Sequence, residues 1–171
     1  MNFPRAHWLQ IHSTNPLERL NAEVVKAVRA PELWNAGPRY LQGQGTTALV
    51  IDSGIMPNAD LGARYLGSLN FVSGEQQGAD RYGHGTFVAN MIAADGTKSG
   101  GQYLGIAPRA NVLSFRVNNN QGQGSESDVV AALQWAFENR QVHNIRVVNI
   151  SLNSSVATSY ANSPLCAAVE M

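Results

Sequence analysis

Apolar residues along this chain follow two rhythms. After Asn15-Pro16, the residues Leu17, Leu20, Val24, Val25 and Val28 recur at helical spacing, which predicts a helix over 16–30. Asn15 can cap it, and Pro16 suits its first turn. Pro31 to Asn35 reads as a short turn or helix, closed by Gly37-Pro38. Other segments are continuous apolar runs. Ala48-Leu49-Val50-Ile51 passes without a break into Asp52, and similar runs cover 111–117 and 145–151. Such runs predict strands buried on both faces. A shorter strand is expected near 68–72. Helical spacing returns from His84, in a helix expected to end near Asp95-Gly96, with Gly96 as the C-cap and 96–101 as a flexible turn. It returns again from Ser125-Glu126 to about Arg140, through Val129, Val130, Leu133, Trp135 and Ala136. Ser163-Pro164 opens a last helix that reaches Met171 without a stop signal. That pattern reads as a helix cut short, and hence as a chain that continues.

Strands alternating with helices argue for an α/β domain: a mostly parallel sheet covered on both faces. A length of 171 residues suffices for one domain with a substantial core. Only 14% of residues are charged, against about a quarter in ordinary soluble domains, so much surface must be buried or covered. Lys+Arg 12 and Asp+Glu 12 cancel. Nothing therefore draws the chain to nucleic acid or to an anionic membrane. No apolar run approaches the length of a membrane span. Cys166 is the single cysteine, which excludes an internal disulfide, and it reads as a small buried apolar residue. The first residues hold no signal-peptide core, and the compartment stays open. His7 and His12 have no evident partners and read as surface residues.

Two residues carry candidate chemistry. Asp52 ends a strand, where open α/β sheets place ligands and catalysts, although an aspartate there is also a common cap. His84 opens a helix between Gly83 and Gly85, and these glycines allow close approach of backbone or substrate. A helix N-terminus disfavours a charged imidazole. A carboxylate bonded to the second ring nitrogen would compensate and set the tautomer. His84 therefore calls for Asp52, and the pair says more than either residue alone.

The surrounding motifs resemble those of the subtilisin-like serine proteases. Val50-Ile51-Asp52-Ser53-Gly54-Ile55 is similar to the family's catalytic aspartate motif, with Asp60-Leu61 as its sequel. Gly83 to Ala89 is similar to its histidine motif, Leu104 to Pro108 to the segment before its next strand, and Val148 to Leu152 to a wall of its specificity pocket. The resemblance covers about residues 30–171. It implies a three-layer, doubly wound sheet in the order 68–72, 111–117, 47–52, 145–151, incomplete on its C-terminal side. It makes residues 1–30 an N-terminal extension or the end of a pro-region, and 31–171 part of a peptidase domain. It implies a serine endopeptidase using Asp52 and His84, monomeric when complete, from a family often secreted. An extended peptide would pair with Gly122-Gln123-Gly124 and with Ser151-Leu152-Asn153.

The chain also departs from the family. Phe87 stands where many members carry a second histidine, and Asn153 and Ser154 replace common glycines. No Gly-Thr-Ser nucleophile motif occurs. Ser151 belongs by resemblance to the pocket wall, and Ser53 is too close to Asp52 to turn toward His84. The implied nucleophile therefore lies beyond Met171, and residues 1–171 alone are expected to be inactive. No cofactor is expected. Calcium is left open, because Asp60 matches one calcium ligand of some members while their binding loop is not recognisable at 96–101. One alternative is a peptide-binding pseudo-protease. Another, minor, is a dinucleotide module at Gly122 to Ser127, where Ser127 replaces the third glycine and the distal acidic residue is missing.

Overall fold

A computed structural model describes residues 16–73, 80–153, 159 and 162–170. His7, His12 and much of the 152–162 loop lie outside them. Four parallel strands form the centre: β1 (Thr47–Asp52), β2 (Tyr65–Asn70), β3 (Asn111–Arg116) and β4 (Ile145–Ile150), in the order β2-β3-β1-β4. This is the order the resemblance implies. The helices are α1 (Pro16–Ala27), α2 (Ala30–Trp34), α3 (His84–Ala93), α4 (Glu126–Asn139) and α5 (Pro164–Val169).

β1 is buried along its whole length because it has a neighbour on each side and a helix on each face. Its side chains alternate between two cores. Leu49 and Ile51 pack with Leu113, Phe115, Val129 and Leu133 under α4. Val50 packs with Val112, Ile55, Leu61, Ala89 and Ala93 under α3. Each such large side chain contributes about 1.5–3 kcal/mol when fully buried. Trp135 meets Phe115 edge-on at 5.0 Å, and Phe71 leans on the same ring at 5.3 Å. α1 and α2 pack through Val25, Ala30 and Trp34, and Trp34 Nε1 donates to Ile106 O at 2.9 Å.

The expectations at β2 and at the end of α3 need correction, and the helix expected over 16–30 ends at Ala27. The strand expected near 68–72 runs from Tyr65 to Asn70. Gly67, at φ 123°, sits where the register with β3 shifts, so the strand accommodates it at that irregularity. The Asn70 side chain then accepts from Val72 N–H and turns the chain. Gly96 is not the C-cap of α3. The helix ends at Ala93, Ala94 leaves with extended ψ, and Gly96 instead opens a short turn over 97–99. The final carbonyls of α3 need no glycine cap, because residues 105–107 lie against them. Met91 O, Ile92 O and Ala94 O accept from Ile106, Ala107 and Gly105 N–H. A side chain at Gly105 would stand 2.6 Å from Ala93 N, so only glycine allows this contact.

The last helix matches its signal. Ser163 Oγ accepts from Cys166 N–H, and Glu126 at the start of α4 accepts from Leu165 N–H. Cys166 is half-buried rather than buried, because short α5 covers it incompletely. Val147 and Val148 of β4 are 60% and 39% exposed.

Candidate active site

Asp52 ends the central strand and is fully buried. Its carbonyl accepts from Val117 and Asn118 N–H, which lock the strand end to the segment after β3. Its carboxylate faces α3. His84, the first residue of α3, places Nδ1 at 2.9 and 2.8 Å from the two carboxylate oxygens. Ser53 N–H donates to the same carboxylate at 2.7 Å. Nδ1 thus carries the proton, and Nε2 is left as the basic nitrogen. The His84 side chain is 40% exposed, and Nε2 has no partner among the described residues. One edge of the ring is held in the protein and the other is presented outward.

Glycines make this approach feasible. A Cβ at Gly85 would lie 2.1 Å from Gly54 O and 3.1 Å from Asp52 Cβ. Any side chain there would push the helix off the strand end. Gly83, at φ 89°, makes the left-handed bend into the helix and leaves no side chain to cap it.

That cap comes from Asp80, a residue the sequence reading passed over. Its carboxylate accepts from Gly83 N–H (2.7 Å), Thr86 N–H (2.8 Å), Thr86 Oγ1 (2.6 Å) and Ser53 Oγ (2.9 Å). Burial works to raise its pKa, but the bonds from Thr86, Gly83 and Ser53 outweigh it and hold the carboxyl below its usual range. An acid just ahead of a helix start was the available signal. Ser53 is occupied on both sides, donating to Asp80 and accepting from Gly85 N–H. It is not turned toward His84, as its chain position implied.

The two peptide-pairing candidates flank this pair, because β3 and β4 lie on opposite sides of β1. Gly122 to Gly124 form one arm of a tight turn. Asn119 N–H donates to Gln123 O, and Gly124 bridges Asn118 in antiparallel sense. Gly122 lies under the Tyr82 ring, where a Cβ would meet Cζ at 2.5 Å. The Tyr82 and His84 rings are 6.4 Å apart, so the turn is brought beside the histidine. Ser151 to Asn153 continue from β4. Ser151 Oγ accepts from Asn149, Leu152 packs on the core under α4, and Asn153 is exposed.

The family model for the subtilase family matches residues 43–171, which include every residue of this site. The chain belongs to the subtilase family. It is 33% identical over 129 residues to serine protease AprX of Bacillus subtilis, a match covering 75% of this chain and 29% of that protein. It is 38% identical over 130 residues to subtilisin Savinase of Lederbergia lenta, covering 76% and 44%. It is 34% identical over 145 residues to a thermostable alkaline protease of Halalkalibacterium halodurans, covering 81% and 38%. The matched stretch thus spans less than half the length of these relatives. No helix among the described residues is long and apolar enough to cross a membrane.

Asp60, left open as a calcium ligand, is engaged within the protein. Asp60 Oδ1 accepts from Lys98 N–H at 2.7 Å. The neighbouring oxygens converge on a guanidinium: Arg64 donates to the carbonyls of Asp60, Ala93 and Ala110, and pairs with Asp95 at 3.2 Å. Burial acts to raise the Asp95 carboxyl, but bonds from Thr97 and Arg64 and the charge of Arg64 hold it low. Among the described residues no three acidic, histidine or cysteine side chains form a metal cluster.

Proposed function

We propose that this chain is part of a serine endopeptidase in which His84 is the general base and Asp52 its buried partner. The observation that carries the reading is the double contact of Nδ1 with both Asp52 oxygens, while Nε2 faces outward. In this reading Nε2 takes the proton of an attacking serine, and the resulting imidazolium is stabilised by Asp52. No Gly-Thr-Ser motif occurs in residues 1–171, so the serine is supplied from outside this stretch.

The substrate in this reading is an extended peptide. Segments leaving β3 and β4 stand two strand spacings apart, about 9–10 Å, which leaves room for one strand between them. Gly122 to Gly124 and Ser151 to Asn153 supply its main-chain partners, and specificity comes from side-chain pockets.

The test is fluorophosphonate labelling of the whole gene product that contains this chain, beside residues 1–171 alone. The whole product labels at one serine, His84→Ala abolishes labelling, and the isolated stretch does not label. A whole product that binds peptide but neither labels nor cleaves would establish the pseudo-protease instead.

A further inference from the structure

Asp80 lies in neither strand nor helix and is 6% exposed. All four of its donors are neutral, and they belong to two places only. Gly83 and Thr86 bracket His84 along the chain, and Ser53 follows Asp52. Ser53 N–H in turn donates to Asp52, and Gly85 N–H donates to Ser53 Oγ. The bonds close a ring: Asp80 to Ser53, Ser53 to Asp52, Asp52 to His84, and the backbone around His84 back to Asp80.

The His84 ring is too exposed to be located by packing, so its place depends on the backbone at the start of α3. The first N–H groups of a helix have no partner inside it, and Gly83 offers no side chain to cap them. Asp80 does so from three residues upstream and crosslinks the helix start to the strand end. It also sets a negative charge against the positive end of the helix dipole, which otherwise opposes protonation of the imidazole.

We propose that Asp80 is a positioning residue for His84, holding the helix start and the strand end in the one arrangement that sets the imidazole on Asp52. This rests on His84 being the general base. Among the described residues, Asp52 from β1 and Tyr82 from the turn before α3 lie against His84, Asp80 is bonded to the backbone on either side of it, and Arg116 of β3 lies beside Gly54. The Arg116 Cδ lies 3.5 Å from a Cβ built on Gly54, and its Nε donates to Asn118 O. Replacing Asp80 changes only one of these charges.

The experiment compares the whole gene product with its Asp80→Asn variant. Two readouts are taken: the His84 imidazole titration by nitrogen-15 NMR, and kcat and KM against a peptide substrate. The Asn amide sets a donor against N–H groups that need an acceptor. We expect the His84 titration to move to lower pH, from loss of charge at a helix N-terminus. We expect kcat to fall about 10–100-fold, the scale of a small misplacement, with KM changed less than about threefold. Arg64→Met is the structural control, since it loosens the other end of α3; it lowers Tm and leaves the titration where it was. If Asp80→Asn does not fold, Thr86→Val removes one donor and keeps the charge, and kcat must then fall more than in Arg64→Met with KM changed less than about threefold. A folded variant whose His84 titrates as in the wild type, with kcat reduced no more than in Arg64→Met, overturns the proposal. The titration needs no proteolysis, so failure of the endopeptidase reading would appear separately, as inactivity of the wild type.

Discussion

The two ends of α3 solve opposite problems. At its N-terminus, carboxylates gather: Asp80 caps the first turn and Asp52 meets His84. At its C-terminus a cation gathers oxygens, with Arg64 bonded to Ala93 O and paired with Asp95. Both choices complement the helix dipole, anions at the positive end and a cation at the negative end. However, only the first end leaves a reactive edge uncovered. His84 is 40% exposed, whereas Arg64 is 19% exposed with both terminal nitrogens engaged. Complementary electrostatics thus serves chemistry at one end and cohesion at the other. What separates them is that, among the described residues, His84 keeps a ring nitrogen without a partner and Arg64 does not.

The sharpest way to break this contrast is at the reactive end. In the whole gene product, Asp52→Asn should lower kcat about 10⁴-fold while leaving KM nearly unchanged. That magnitude is borrowed from triad aspartates in serine proteases, subtilisin among them. Near-normal kcat in this variant would remove His84 and Asp52 from the mechanism.

Next in size is Gly85→Ala. The added carbon would stand 2.1 Å from Gly54 O, so helix and strand must separate. Overpacking of this kind costs about 1–3 kcal/mol, and here it should also pull His84 off Asp52. Thermal unfolding measures the first effect, and loss of the downfield Nδ1 proton resonance in NMR measures the second.

At the cohesive end, Arg64→Met should cost about 1–3 kcal/mol through unpaired carbonyls and Asp95, with protease nicking concentrated in 95–101. If Arg64 occupies the place of a metal, chelator and added calcium should leave the wild-type Tm unchanged. A Tm that rises with calcium would show that the guanidinium is displaced.

The smallest effect is on acid stability. The folded Asp80 carboxyl is held below its usual range, so it binds its proton less readily than in the unfolded chain. Its contribution is present above the unfolded value, about pH 4, and is lost as pH falls through the lower folded value. Asp80→Asn should therefore flatten the acid limb of Tm against pH. A limb of unchanged slope would mean that other carboxylates set it.

Much of this molecule is legible along the chain. Three continuous apolar runs, a shorter strand and the helical spacings between them indicate a mostly parallel sheet covered on both faces, because burial on two sides favours apolar residues at successive positions. The Asp52 and His84 contexts are equally local: a carboxylate at a strand end, and a histidine between glycines at a helix start. Three things were settled only in three dimensions. Residues 105–107 capped α3 in place of Gly96, because backbone brought from elsewhere satisfied its carbonyls first. Arg64 became the centre of a loop whose sequence shows only a surface cation, because the oxygens around it come from three separate segments. Asp80 became the hinge of the site through Ser53, 27 residues away along the chain. Periodicity reports which side of an element is buried, and it carries no information on which distant donor a polar group will meet. That is decided when the strand end and the helix start are packed against each other.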